Sequence, residues 1–259
     1  MCMRVRGVVP VLLAAALGAG LSVPPAAAQS NQPVYPIYDG FHVTAEGVYV
    51  ISYAYFSHNF DVVTLPPGPA NAFGTEPADR RQPRTFRPGH HRFQCVMVMG
   101  RDFTGGLRWT LGHAGTTTST SEDMLQYNWE LDDRTVGAVL REVDVESAPR
   151  GVCLNRSPLV RFLGLRAGPD GEPPEVAAAV GAELKLFGSV RDEGLPRGGE
   201  LTSTWRVLEG PGGVRFSAPD EPRTLAWFDA PGVYELELRA SDSERETAAR
   251  LVVRVGADE

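Results

Sequence analysis

Ala230-Pro231-Gly232-Val233-Tyr234-Glu235-Leu236-Glu237-Leu238-Arg239-Ala240 is the stretch that decides the fold. Pro231-Gly232 is turn chemistry, and from Val233 onward apolar and charged residues alternate with the period of a strand. Tyr234, Leu236, Leu238 and Ala240 take one face; Glu235, Glu237 and Arg239 take the other. Downstream, Leu251, Val253 and Val255 alternate with Arg250, Val252 and Arg254. Upstream, Ser203, Trp205 and Val207 oppose Thr202, Thr204 and Arg206, and Ala182, Leu184 and Leu186 set one face of another strand. Such strands around a central tryptophan, over about 100 residues, predict a two-sheet sandwich.

The first half has the same grammar. Val48-Tyr49-Val50-Ile51-Ser52-Tyr53-Ala54-Tyr55-Phe56 is apolar on both faces and predicts a central sandwich strand. Phe93, Cys95, Met97 and Met99 alternate with Arg92, Gln94, Val96 and Val98, and Leu107, Trp109 and Leu111 with Arg108, Thr110 and Gly112. Leu125, Tyr127, Trp129 and Leu131 read as a further amphipathic strand against Gln126, Asn128 and Glu130. Helix signals are nearly absent. The expected fold class is all-β, with two β-sandwich domains in tandem. Between the first two strands of this half runs Leu65 to His91, rich in Pro, Gly and Arg. A segment of that length is a place to look for binding, and equally reads as a solvated, proline-stiffened excursion.

At the N-terminus Arg4 and Arg6 precede an apolar run from Val8 to Leu21, then Ala26-Ala27-Ala28 before Gln29. This is the pattern of a secretory signal peptide cleaved near Ala28. The run is too short for a comfortable membrane span. The expected division is 1–28 signal peptide, 29–140 first sandwich, 141–154 linker and 155–259 second sandwich. The linker is drawn from residues 132–154, which carry charge and turn residues without clear periodicity.

Cleavage removes two arginines and no acid, taking the net charge from −7 to −9. A nucleic-acid partner would call for a basic face and is not expected. Lys185 is the sole lysine among 25 basic residues, which reads as arginine-biased coding. Cys95 and Cys153 survive cleavage. An oxidising compartment favours a bridge, worth about 4 kcal/mol in the chain-entropy model. Cys95, in an apolar strand, also suits a small buried thiol. Sequence leaves both readings open.

Five segments in the second half together resemble the PKD family of immunoglobulin-like domains. Asn155-Arg156-Ser157-Pro158 is similar to its Asn-x-Pro-Pro opening, and Ala167-Gly168-Pro169-Asp170 to its Ala-Gly-Pro-Asp segment. Val190-Arg191-Asp192-Glu193-Gly194-Leu195-Pro196 resembles its Ser-Asp-Asp-Gly-Leu-Pro loop. Thr204-Trp205 with Gly210-Pro211-Gly212 is similar to its Trp strand and following turn, and Pro231-Gly232-Val233-Tyr234 with Ala240-Ser241-Asp242 to its closing hairpin. Arg191 and Ser243 depart from the pattern in loops. The resemblance implies a spacer or recognition module of exported proteins, without catalysis. Some members bind calcium, but no ligand set transfers residue by residue. The first half resembles an uncharacterised group of exported bacterial proteins through Pro36-Ile37-Tyr38-Asp39-Gly40, His91-Arg92-Phe93, Asp102-Phe103 and Trp109-Thr110-Leu111. No activity transfers from it.

Candidate chemistry is sparse. His42, His58, His90, His91 and His113 match no metal-ligand spacing, and adjacent His90 and His91 point to opposite faces of an extended chain. Gly115 to Glu122 is hydroxyl-rich but lacks a nucleophile elbow, and reads as a polar hairpin connection. Glu142, Asp144 and Glu146 share one side of an extended segment, as paired glycosidase carboxylates or as a solvated edge. Asp170, Glu172, Asp192, Glu193 and Asp242 are hard-oxygen candidates for calcium. Tyr49, Tyr53, Tyr55, Trp109, Tyr127 and Trp129 read as core, or as platforms for stacking sugars. No catalytic, cofactor or metal residue is assigned.

The leading expectation is a non-catalytic, extracytoplasmic binding or scaffolding protein of the bacterial cell envelope. Its partner would be an envelope protein or a polysaccharide, with no membrane span. A carbohydrate-binding or adhesion accessory comes second, and an unrecognised hydrolase or metalloprotein third.

Overall fold

A computed structural model describes residues 31–257, so the signal-peptide reading of 1–28 lies outside the described residues. None of the described helices is long and apolar enough to cross a membrane.

Eight strands make the first half: β1 (Val34–Val43), β2 (Tyr49–Ser57), β3 (Val63–Thr64), β4 (Asn71–Phe73), β5 (Thr85–Phe86), β6 (Gly89–Val98), β7 (Trp109–His113) and β8 (Thr116–Ser119). β1-β2-β6 form one sheet and β4-β7-β8 another, while β3 pairs with β5. Between the two main sheets Ile51, Tyr53, Tyr55, Cys95 and Met97 meet Phe73, Phe86, Trp109 and Leu111 in one core. Tyr53 sits edge-on to Phe73 at 5.3 Å and to Trp109 at 6.1 Å.

The opposite face of β1-β2-β6 is dry as well. Val48, Val50, Val96 and Val98 pack with Leu154 and with Val139, the last residue of a short helix α1 (Asp133–Val139). Asp132 caps that helix by accepting from the Thr135 amide. Leu131, Leu140, Val143, Val145 and Ala148 complete the cover, so residues 141–154, assigned from sequence to a connection, supply apolar surface here. The cover is tied down by main-chain bonds from Gly151 to Val98 and from Leu154 to Val96, both 2.9 Å. Cys153 is disulfide-bonded to Cys95, with a Cα–Cα distance of 4.8 Å.

One expected strand does not form. Tyr127–Trp129 is a single 3-10 turn, and Tyr127 is 88% exposed. The alternating side chains of Leu125 to Leu131 are used singly: Trp129 packs edge-on against Tyr38 at 5.7 Å, and Leu131 joins the far side of the sheet. Main-chain pairing to β1 is confined to the contact with Phe41, so no ladder develops. Period-two patterning needs a strand edge beside it, and this segment has only that one contact.

The second half contains β9 (Leu159–Phe162), β10 (Glu175–Ala179), β11 (Leu184–Arg191), β12 (Thr202–Glu209), β13 (Val214–Phe216), β14 (Arg223–Phe228), β15 (Gly232–Ser241) and β16 (Glu246–Gly256). They form two sheets, β10-β16-β15-β12 and β13-β14-β11-β9, closing an immunoglobulin-like sandwich. Tyr234, Leu236, Leu238, Ala240, Leu251 and Val253 are buried to 1% or less and meet Trp205, Ala226 and Phe228. Trp205 stacks on Phe162 at 5.6 Å and donates its indole N–H to the Pro222 carbonyl at 3.2 Å. Val207, still in register opposite Leu236, is 39% exposed, and the ladder with β15 shifts between it and Glu209.

At the β14–β15 corner Tyr234 donates its hydroxyl to the Ala230 carbonyl at 2.8 Å, the corner bond of Greek-key sandwiches. Gly210 lies under the same ring, where a Cβ would come within 2.2 Å of Tyr234 Cδ1.

Tyr234→Phe should lower unfolding free energy by about 1 kcal/mol, and Gly210→Ala by about 2 kcal/mol or more, both read by urea denaturation. Reducing the disulfide should cost the first half about 4 kcal/mol, visible as a separate early transition.

Candidate functional site

The two halves meet through named contacts. The loop between β11 and β12 sends Leu195 into the core of the first half, where it is 6% exposed. Two residues on, Arg197 grips Asp79 with both terminal nitrogens, at 2.6 and 2.5 Å. Just before β9, Arg156 donates its amide to Glu193 Oε1 at 2.6 Å and its guanidinium to the Phe93 carbonyl. That carbonyl is presented by a register break in β6, where Phe93 takes a φ of 57°. Asp39 holds the break by accepting from the Phe93 amide and from Arg92, both at 2.7 Å. Asn155 donates to Glu244 at 3.1 Å, and the Ser157 amide to Glu142 at 3.0 Å.

Burial at this junction reshapes its acids. It pushes the Glu193 carboxyl up to about 7, against the pull of Arg156 and with Asp192 adding to the rise. Burial also raises Asp192, and the nearby Asp242 charge contributes. Asp192 accepts from the Gly194 amide, and Asp242 from the Glu244 and Arg245 amides. Beside these groups a cleft of about 310 Å³ opens between the halves, lined from one side by β6 and the end of α1 and from the other by β9 and β11.

The segment Leu65 to His91 is an ordered part of the sandwich. Asn71 accepts the Trp109 indole N–H at 2.9 Å and donates to the Leu65 and Pro83 carbonyls. Gln82 bridges the Arg80 amide and the Asn71 carbonyl. Buried Arg80 donates to the Gly151 and Glu76 carbonyls, linking the segment to the cover over the sheet. Only its last residues, His90 and His91, reach the cleft.

Three of the five histidines, His58, His90 and His91, lie along the Tyr55–Phe56 end of β2, and His42 and His113 lie apart from them. His58 packs edge-on to Phe56, and His91 stacks on Tyr55 at 4.8 Å with Nε2 3.0 Å from the Pro88 carbonyl. His42 lies in β1 and His113 ends β7. Among the described residues no group of three or more His, Cys, Asp or Glu is gathered for a metal. Glu142, Asp144 and Glu146 are exposed on turns, not on a strand. Asp144 is engaged with Ser147, whose hydroxyl holds the Asp144 carboxyl below its usual range. Asp170 and Glu172 are exposed on the turn before β10, and of the calcium candidates only Asp192, Glu193 and Asp242 stand at the junction.

The hydroxyl-rich stretch forms the β7–β8 hairpin. Thr118 bonds the Val34 carbonyl and Thr120 accepts the Trp109 amide. Of the six aromatic candidates, Tyr53, Tyr55 and Trp109 are buried core and Tyr49 and Trp129 half-buried, leaving Tyr127 exposed. The junction residues Asp79, Leu195 and Arg197 were missed as a site in the sequence. Their one signal was the Asp-Glu-Gly-Leu-Pro loop, whose Leu195 is an apolar residue in an otherwise polar turn.

No family model matches the chain. Among solved structures it is similar to fibronectin(III)-like modules of Clostridium thermocellum CbhA, with 11% identity, 86% of this chain and 94% of that chain covered, and a TM-score of 0.27. Drosophila N-cadherin EC1-3 is 13% identical over 88% of this chain and 69% of that one, with a TM-score of 0.30. A titin Ig tandem is 12% identical over 88% of this chain and all of that one, with a TM-score of 0.26. Likeness at this level carries no argument about what the chain binds or does.

Glu193 gives the junction a pH signature. Its native carboxyl keeps a proton up to about 7, whereas an unfolded glutamate releases it near 4.3. Its contribution therefore favours folding at acid pH and is lost as pH rises from about 4.5 to 7. Glu193→Gln keeps an acceptor for the Arg156 amide without the charge. Over that window the wild type should lose roughly 2–3 kcal/mol more stability than the variant, measured by denaturant titration at each pH.

Proposed function

We propose that the chain is a non-catalytic binding and scaffolding protein of the bacterial cell envelope, exported and processed near Ala28, whose two modules act as one stiff unit. The modules are taken as 29–140 and 155–259, joined through 141–154, and the second as PKD-like. The observation that carries the reading is the docking of Leu195, from one sandwich, inside the core of the other. Withdrawing a buried leucine into water costs about 2 kcal/mol, so bending at the junction is disfavoured about thirtyfold before Arg197 and Arg156 are counted. The buried ionisable groups at the junction also support it. The Arg156 guanidinium reaches across to the Phe93 carbonyl, while Asp192, Glu193 and Asp242 accept from main-chain amides of the second module and so order its side of the contact. A carbohydrate-binding reading keeps support from Tyr127 alone among the aromatic candidates, as an exposed ring on the 3-10 turn.

Solution scattering tests the reading. Wild-type protein should fit one compact particle. Leu195→Asp should show a larger maximum dimension while each sandwich keeps its own unfolding transition. Identical scattering from both proteins would remove the stiff-unit reading. Turnover of an ester, glycan or peptide substrate by the purified mature chain would remove the non-catalytic one.

A further inference from the structure

We propose that the cleft between the two sandwiches is a binding site for an oxyanion, a carboxylate, sulfate or phosphate group carried on a ligand of about disaccharide size. The inference rests on the binding-protein reading above and deepens it by naming a ligand class. The first argument is charge. Arg92, Arg141, Arg156, Arg161 and Arg191 line the cleft together with Glu142, Asp192 and Glu193. Cations outnumber acids here, on a chain whose net charge is −7. Arginine-biased composition explains why the cations are arginines, but not why they gather against the prevailing sign.

Engagement is the second argument. Each of the three acids has one oxygen on a main-chain amide, Glu142 on Ser157, Asp192 on Gly194 and Glu193 on Arg156, and of their oxygens Asp192 Oδ1 alone is buried without a partner. On the basic side, Arg92 pairs with Asp39 and Arg156 reaches the Phe93 carbonyl. The guanidinium groups of Arg141, Arg161 and Arg191 make no ion pair or hydrogen bond among the described residues, and Arg156 Nε is buried without an acceptor.

Geometry is the third. Arg161 stands opposite Ser189 in the β9–β11 ladder, so Arg191, two residues on, lies on the same face as its diagonal neighbour. Diagonal pairs are separated by about 7–8 Å at the backbone, within reach of one ligand for two long side chains. Two like charges so placed repel each other, and an anion between them reverses the sign of that interaction. Guanidinium groups meet planar or tetrahedral oxyanions with two parallel N–H bonds, which sets the ligand's chemistry. Arg191 and Arg87 also depress the His91 ring beside the cleft, after burial itself, a second mark of positive potential there. The volume of about 310 Å³ sets the size, at the lower end of small-ligand sites. It is too small for a nucleic-acid duplex.

Calorimetric titration of the whole mature chain tests this with four probes: digalacturonate, a sulfated disaccharide, inorganic phosphate and neutral maltose. At least one anionic probe should bind saturably, weakening as salt is raised because the arginines are solvent-exposed. Which of them binds separates the carboxylate, sulfate and free-phosphate sources. Arg161→Glu with Arg191→Glu should weaken that binding about tenfold or more, and the Arg→Gln pair less. Arg223→Glu, the same charge change on β14 outside the cleft, should leave it within about twofold. The inference is overturned if no anionic probe saturates, if the folded double variant binds like wild type, or if maltose binds as well as the anions. Those outcomes without turnover strike the cleft alone. Saturable binding followed by cleavage of a probe would uphold the cleft and strike the non-catalytic reading instead.

Discussion

The sheet β1-β2-β6 has to be kept dry on both faces, and much of the chain's course follows from that. Its front is met by β4-β7-β8 and the aromatic cluster around Trp109. Its back, a patch of valines from β2 and β6, has no second sheet and is covered by the chain that follows β8. Val139 and Leu154 bracket that cover, and the disulfide from Cys153 to the central Cys95 pins its far end. A path that must finish at Cys153 delivers Asn155 and Arg156 to the rim of the same sheet. The second sandwich therefore starts in contact with the first.

That starting point gives the junction its chemistry. Arg156 has only to extend to the Phe93 carbonyl, which the bulge in β6 turns outward under the restraint of Asp39. The β11–β12 loop then folds back far enough for Leu195 to enter the first core and for Arg197 to find Asp79. Burying apolar surface draws polar neighbours out of water with it. Glu193 and Asp192, beside the buried Leu195, are raised by their own burial. The cleft arises where the two surfaces curve apart, and it inherits exposed arginines from both.

Much of this was legible beforehand where a pattern is local. The inward faces of β15 and β16 and the buried Trp205 follow from alternation alone, because a strand's two faces are fixed by backbone geometry. The two-faced apolarity of β2 was legible too, though not what covers its back. Leu125 to Leu131 misled for the complementary reason: its alternation is real, but each side chain is used separately. Trp109, Tyr53 and Tyr55 could have been core or platform from sequence, and only their neighbours placed them inside.

By itself, then, the sequence determined an all-β chain with two sets of alternating strands, turn residues between them and two cysteines able to pair. Those features depend on contacts between residues near in sequence and on the two-residue period of the strand. Tertiary structure alone decided that residues 131–154 cover a sheet, that Leu195 belongs to a core it does not adjoin in sequence, and that Arg161 and Arg191 face Arg141 across a cleft. These are pairings between distant segments, and their free energy comes from removing surfaces from water together. No property of either segment read alone carries that information.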